Sequence, residues 1–529
     1  MRKKEIIYSI ISGLLLISTF PKFNLGFLSW VALVPLFTAL RDKGPLQSLG
    51  LAWVTGLIYF SGILYWVVNT MVNYGDLSIF FSYLILLMLV IYLSFYIALF
   101  GFFLGYLNEE EEYKKWIIAP FLWTFLEYLR SHILTGFPWA SLGYSQFQNL
   151  KIIQFSDITG IYGISFFIVL VNSLLFLFIV NLQKRSVLIS NDRRYIPSNT
   201  KIVLVLILSF SLSIIYGYLK IDRYSKLEKM DVDRLKVSLI QGNIEQDRKW
   251  DSKYVRETID IYKNLTLDAS KNRPDLIVWP ETAVPFYFQS EKQFSSEILS
   301  LAKDSQSPIL FGSPAYKYIK NQIRLYNRAY LVSSDERVLG KYDKIHLVPF
   351  GEYVPLKSLF PFINKIVEGI IGDFYSGEDY SIMDVSGKRF GILICFEIIF
   401  PQYARKFVKK GAQFLVNITN DAWFGKSAAP YQHIAIAVFR AIENRVFIVR
   451  AANTGISGFI IPTGKIVKDT EIFVRTLVEG EVIPRDENLT FYSKYGDIFI
   501  YFCIIIILAF FSKTLILRYK KRKKLFINL

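Results

Sequence analysis

The chain has 529 residues, of which 53% are hydrophobic and 16% aromatic, and it carries a formal charge of +17. That length exceeds one ordinary domain, and that apolar balance argues against a wholly soluble chain and for a membrane part joined to a globular part. The charge does not indicate a nucleic-acid binder. Lys and Arg gather at the two termini and in one loop between apolar runs, a pattern that suits the anionic inner face of a membrane.

Apolar runs predict membrane spans near 5–20, 27–40, 46–68, 78–106, 115–133, 161–182 and 201–219, with an eighth near 496–517. Arg2, Lys3 and Lys4 precede the first span. Arg41 and Lys43 follow the second, Lys114 and Lys115 precede the fifth, and a basic loop from Lys184 to Lys201 joins the sixth and seventh. Six basic residues between Arg518 and Lys524 follow the last. Alternate loops therefore carry the positive charge and are placed in the cytoplasm; the acidic run Glu109–Glu112 counts for little in this rule. The expected division is a membrane domain over 1–219, a polar domain over 220–495 on the outer, periplasmic face of a bacterial inner membrane, and a final span with a basic tail over 496–529. No small-x-small cleavage site follows Ile17, so an uncleaved first span is preferred to a signal peptide.

Between 220 and 495 short β-branched runs alternate with longer polar stretches. Strands are predicted at Lys236–Ile240, Leu276–Trp279, Pro308–Gly312, Ala329–Val332, Arg389–Cys395, Gln413–Ile418, Val446–Ala451 and Gly458–Ile461. Helices are predicted over 251–270, 290–305, 399–410 and 430–443. This alternation predicts an α/β domain with a buried sheet. The two cysteines, Cys395 and Cys503, support no disulfide framework, since Cys503 lies in the last apolar run. The three histidines, His132, His346 and His433, lack ligand spacing, so no metal site is expected.

Three motifs in this region carry chemistry. Leu276-Ile-Val-Trp-Pro-Glu281 delivers a carboxylate at a strand end. Lys341-Tyr-Asp-Lys344-Ile-His-Leu-Val-Pro-Phe-Gly-Glu352-Tyr-Val-Pro355 offers a lysine that can oppose a developing oxyanion, with His346 read as a structural hydrogen-bonding group. Arg389-Phe-Gly-Ile-Leu-Ile-Cys395-Phe-Glu397 places a thiol at a strand end, followed by an acid where a core strand would continue apolar. Each motif alone is weak: a capping glutamate, a solvated lysine and an inert buried cysteine are the commoner fates. Together they supply a base, a cation and a nucleophile, the set acyl transfer requires. No GxSxG, P-loop, GxGxxG or HExxH string is present.

In this order the motifs resemble those of the nitrilase superfamily, whose Glu-Lys-Cys triad sits on an αββα sandwich. The flanking spans narrow the resemblance to the apolipoprotein N-acyltransferases. Gln241-Gly-Asn-Ile, Asn420-Asp-Ala-Trp-Phe-Gly425, Gln432-His433 and Arg450-Ala-Ala-Asn-Thr-Gly455 extend it over almost the whole chain. The resemblance implies a multi-span helical membrane domain plus a nitrilase-like α/β sandwich. It implies Glu281 as general base, Lys344 as stabiliser of the tetrahedral intermediate and Cys395 as nucleophile, with Glu352 in support and Glu397 following the cysteine. It places Trp250 at the site entrance and Asn327 near it. Phe396 stands where many members have tyrosine, so its part is expected to be played by its ring. The implied reaction moves an acyl chain from a glycerophospholipid to the α-amine of a diacylglyceryl lipoprotein at the bilayer surface, with no cofactor. Phe286-Tyr-Phe288 and Phe360-Pro-Phe-Ile-Asn364 are read either as lids dipping into lipid or as ordinary packing. Two rival readings remain at this point: a membrane-anchored amide hydrolase with the same triad, and a transporter, suggested by Glu127, Arg130 and His132 in the fifth span.

Overall fold

The computed structural model describes residues 2–75, 77–107, 112–186, 198–249, 251–353, 374–485 and 488–527. They fall into two compact units. One comprises Met1–Tyr65, Tyr83–Lys220 and Tyr495–Leu529; the other comprises Trp66–Ser82 and Ile221–Lys494.

The first unit is helical. Among the described residues five helices are long and apolar enough to cross a membrane: Pro45–Leu64, Ile79–Tyr106, Ile161–Gln183, Asn199–Glu228 and Ile498–Lys520. The chain is a membrane protein. The other three predicted spans differ in form. The first is a 16-residue helix, Lys3–Ser18. The second breaks into a 3-10 turn, Gly26–Trp30, and a short helix, Val34–Leu40, that begins around Pro35. The fifth, Glu112–Arg130, carries interior Pro120 and five charged side chains: Glu112, Lys114, Lys115, Glu127 and Arg130. Two of these charges are spent locally. Arg130 donates to the carbonyls of Phe137 (3.1 Å) and Trp139 (2.6 Å), and Glu127 Oε1 accepts from Trp123 Nε1 (3.0 Å) and Leu142 N (2.7 Å). They fasten the turn after the helix to its last turns, the structural use of buried polar groups.

Among its described residues the second unit holds twelve strands in two six-stranded sheets. β1 (Leu235–Gln241), β2 (Leu276–Val278), β3 (Ile309–Ile319), β4 (Gln322–Val332), β5 (Val338–Asp343) and β12 (Thr476–Val482) form one, in the order β12-β1-β2-β3-β4-β5. β6 (Met383–Val385), β7 (Lys388–Ile394), β8 (Phe414–Thr419), β9 (Ile448–Ala452), β10 (Gly458–Ile460) and β11 (Ile466–Asp469) form the other, in the order β11-β10-β9-β8-β7-β6. Each sheet has a parallel centre, β1-β2-β3 or β7-β8-β9, with antiparallel strands outside it.

The parallel strands read as continuous apolar runs because both faces are covered; every residue of β2, β8 and β9 is buried. Helices Val255–Ser270 and Lys292–Asp304 cover the first sheet, sharing a core with Ile277, Trp279, Ile309 and Phe311. Helices Pro401–Lys409 and Ala429–Asn444 cover the second. All eight predicted strands and four predicted helices are present, within a few residues at each end except that β3 and β4 each run seven residues further. The strands absent from the sequence reading are β5, β6, β11 and β12, edge or next-to-edge pieces where polar residues interrupt the apolar pattern. Phe286 and Phe288 are core: both are buried, with Phe288 against Phe311 and Tyr330. The lid reading is corrected for that segment, because the β3–β4 face offers these rings an apolar bed. The second proposed lid, 360–364, lies outside the described residues, as does Trp250.

Candidate active site

The site is assembled at strand ends. Glu281 follows β2 after Trp279-Pro280, in a turn where Thr282 takes a positive φ of 46°. That turn presses against β3 at Gly312, where a Cβ would lie 2.4 Å from Thr282 N and 2.8 Å from Glu281 Cα. Only a residue without a side chain permits the approach. Lys344 follows β5, and its N–H donates to the carbonyl of Asn327 on β4 (2.9 Å). Cys395 follows β7 and opens the 3-10 turn Cys395–Ile399 with φ +50°. A non-glycine residue held left-handed costs about 1–3 kcal/mol and persists only where its surroundings impose it.

Glu397 imposes it. Its side chain is fully buried and accepts four hydrogen bonds: from Ile394 N (2.7 Å) on one oxygen, and from Tyr342 Oη (2.8 Å), Ile345 N (2.8 Å) and His346 N (3.1 Å) on the other. One carboxylate thus ties the cysteine turn to the segment that carries Lys344. Burial pushes its carboxyl up to about 7, against the pull of these donors. Phe396 is half-buried, its ring 6.0 Å from that of His346 and 5.3 Å from that of Phe400. His346 Nδ1 lies 3.0 Å from Tyr403 Oη, and burial lowers the imidazole to about 4.

The acids and the lysine form one cluster. Lys344 Nζ is 3.4 Å from Glu281 Oε1 and 2.9 Å from Glu352. Asn327 Nδ2 donates to Glu281 Oε1 and Glu352 Oε1, both at 2.8 Å, and holds the two acids at a fixed spacing. Glu281 Oε2 accepts the N–H of Asn420 (2.9 Å). A carboxylate has about four lone-pair sites, so three donors leave room for a thiol proton. Burial opposes charge on Lys344, but Glu352 and Glu281 outweigh it and hold the ammonium well above its ordinary range. Burial and then the charge of Glu281 push the Cys395 thiol up, partly offset by Lys344 and a hydrogen bond with Thr419. The thiol is therefore protonated at rest, and its proton must leave as the sulfur attacks.

Several participants were absent from the sequence reading of the site. The Asn420-Asp-Ala-Trp-Phe-Gly425 and Arg450–Gly455 strings had no role assigned, yet they brace the site from behind. Asp421 and Arg450, both fully buried, pair at 2.7 Å, and His433 Nδ1 is 3.1 Å from Asp421. Gly455 lies so close that a Cβ there would stand 2.1 Å from Asp421 Oδ2. Arg450 also bonds Asn417 on β8. Asn420, next to Asp421, is held by Gln246 (2.7 Å) and Asn453 (3.0 Å). Removing one partner of a buried pair leaves a bare charge, so Asp421→Ala is expected to destabilise the domain by about 3–5 kcal/mol; a lowered thermal transition of the purified protein checks this. Helix Trp66–Tyr74 packs on the same turn: Thr70 Oγ1 donates to the Trp423 carbonyl (2.8 Å), and Trp66 meets Phe424 edge-on at 4.9 Å. Lys249 is a further buried lysine beside Glu281, missed because one lysine in Gln246-Asp-Arg-Lys249 looks like a solvated helix end.

Comparison with known proteins gives the family. Residues 12–174 match the apolipoprotein N-acyltransferase N-terminal domain family, and residues 236–484 match the carbon-nitrogen hydrolase family. The chain is 43% identical over 507 residues to the apolipoprotein N-acyltransferase of Geobacter metallireducens, covering 95% of this chain and 94% of that one. The chain belongs to the apolipoprotein N-acyltransferase family. Members from Pasteurella multocida and Haemophilus influenzae are each 32% identical, covering 95% and 97% of this chain and 94% and 95% of theirs. An amidase from Nesterenkonia sp. aligns with 49% of this chain and 94% of its own at 17% identity and a TM-score of 0.37. Membership in the apolipoprotein N-acyltransferase family makes the chain an enzyme of lipoprotein N-acylation and displaces the transporter reading.

Proposed function

We propose that this enzyme takes a fatty acyl chain from a glycerophospholipid onto Cys395 and passes it to the free α-amine of a diacylglyceryl-cysteine lipoprotein. Glu281 removes the thiol proton as sulfur attacks the ester carbonyl. The developing oxyanion meets the Lys344 ammonium, which Glu352 keeps charged and in place. Collapse expels the lysophospholipid oxygen, which takes the proton from Glu281, and a thioester remains. The α-amine then attacks that thioester, forming the amide and returning the thiol. The polar domain works at the outer, periplasmic face of the inner membrane, where the tails of both lipids stay in the bilayer while their reacting groups reach the site. Phe396, Asn327 and Glu397 shape and hold the site.

One observation carries this reading. A thiol kept protonated by burial sits in a strained turn, with a paired carboxylate and a buried ammonium as the foremost charges acting on it. Purified protein given phospholipid alone is expected to gain one acyl mass on the Cys395 peptide, read by mass spectrometry. A diacylated lipopeptide with a free amine should discharge it and become triacylated; the same peptide with a blocked amine should not. Discharge by water as fast as by the lipopeptide would favour the hydrolase. The topology has its own test: single cysteines placed in the polar domain of a Cys395- and Cys503-free chain should react with an impermeant maleimide in intact spheroplasts. Labelling only after membrane disruption would place that domain inside.

A further inference from the structure

The two half-reactions proposed above differ by one proton. In the first, the thiol proton passes through Glu281 to the departing hydroxyl, and the site returns to its starting charge. In the second, the nucleophile is an α-amine, whose ordinary pKa of about 7.7–8.0 makes it mainly an ammonium at neutral pH. An ammonium and an acyl thioester give an amide, a thiol and one free proton. The C–S bond breaks, a C–N bond forms, and nitrogen loses two protons in all. Glu281 can carry one of them back to sulfur. The other must be taken first, because an ammonium has no lone pair with which to attack.

Lys249 is a buried lysine bonded to the backbone of Glu281. It ends the short helix Gln246–Lys249 that follows β1, and its side chain is only 2% exposed. Its Nζ donates to the backbone carbonyl of Glu281 at 3.0 Å. Among the described residues it forms no ion pair with any carboxylate; the charge that acts on it is the Glu281 carboxylate, beyond the end of β2. The charged groups of its own segment, Glu245, Asp247 and Arg248, are at the surface, where Arg248 pairs with Glu245 at 3.3 Å. Lys344, which meets the Glu281 carboxylate itself, is bound to two acids. The two buried lysines are therefore set differently. Lys344 is a fixed cation, whereas burial pulls the Lys249 amine down to about 7, so it is available as a base at neutral pH.

We propose that Lys249 is a second catalytic base, which accepts the ammonium proton of the acceptor beside the Cys395 thioester and releases it to water after the amide forms. This inference rests on the acyl-transfer reading above. It also gives a physical difference from hydrolysis, since water arrives neutral and needs one base only.

The test uses full-length protein preloaded with phospholipid so that Cys395 is acylated. Discharge is followed at pH 7 with a diacylated lipopeptide, which enters as an ammonium, and with hydroxylamine, which enters as a neutral amine. Lys249→Met should slow discharge by the lipopeptide about 10²-fold or more, the usual worth of a general base. Most of that loss should be recovered near pH 9, where the α-amine is already neutral. Discharge by hydroxylamine should fall far less. Lys249→Arg keeps a cation that accepts no proton, and should behave like Lys249→Met. Equal losses with both nucleophiles, a loss that high pH leaves in place, or wild-type discharge by Lys249→Arg would each overturn the proposal. Failure of both variants to load Cys395 would overturn it too, by putting Lys249 in the first step. If wild-type protein itself never acquires an acyl group on Cys395, the underlying acyl-transfer reading fails, and this result is seen before any variant is made.

Discussion

Replacing Cys395 by alanine is expected to abolish both the covalent acyl adduct and the acylation of lipopeptide, while the protein stays folded in detergent. The reason is chemical. A thioester keeps most of the reactivity of the acyl group and splits one transfer into two, so donor and acceptor need never be bound together. With the sulfur gone, nothing in the cluster replaces it: Lys344 is a tied ammonium, and Glu281 and Glu352 are stabilised by their donors. The substitution itself is mild. It removes one sulfur from a site that is 9% exposed, and the turn is held by backbone and Glu397 bonds that do not involve the thiol. Alanine must still adopt the φ of +50°, a cost already met by cysteine, so the fold should survive. Mass spectrometry of the Cys395 peptide and lipopeptide acylation are the two readouts. Lipopeptide acylation by Cys395→Ala at a rate near that of the wild type would refute the covalent mechanism.

Glu281→Gln is expected to slow acyl-adduct formation by about 10²–10⁴, the span typical of a lost general base. The effect should be this large because the thiol starts protonated: burial and the neighbouring carboxylate both disfavour the thiolate, and Lys344 and Thr419 only partly offset them. Glutamine preserves size, so the loss reports on proton transfer and not on packing. Glu352→Gln should cost less. That side chain shares Lys344 and Asn327 with Glu281 and touches the reaction only through them. Single-turnover acylation from phospholipid, with the amount of folded protein matched, measures both. Equal rates for Glu281→Gln and wild type would remove Glu281 from the chemistry, and a larger loss in Glu352→Gln would reverse the two roles.

Much of the site was legible because strand ends mark themselves. Leu276–Val278 and the Phe390–Ile394 part of β7 are buried, so each shows as a hydrophobic stretch that leads into a reactive side chain. Glu281 and Cys395 could be picked out on that basis, and Lys344 from the irregular Lys341–Pro355 motif. Glu352, Glu397 and Asn327 were named with them, and the structure sets Glu352 and Asn327 in the acid–lysine cluster and Glu397 under the cysteine turn. The exposed edges were not legible. β5, β6, β11 and β12 lack a continuous apolar pattern, since their outer positions face solvent or the chain's own polar loops.

The sequence by itself determined the division into apolar spans and an α/β domain, because hydropathy is a local property that each segment carries with it. It also offered the candidate set of acid, lysine and thiol, because their identities need no partner to be read. Tertiary structure alone decided which polar groups became functional neighbours. Lys249 and Glu281 are 32 positions apart and Asn420 and Glu281 are 139 apart, yet each pair is joined by a hydrogen bond. The left-handed turn at Cys395 is likewise invisible in the sequence, since cysteine has no preference for it and only the bonds to Glu397 impose it. Burial completes the difference. The same lysine is a solvated charge on a surface helix and a candidate base when folding removes water from around it.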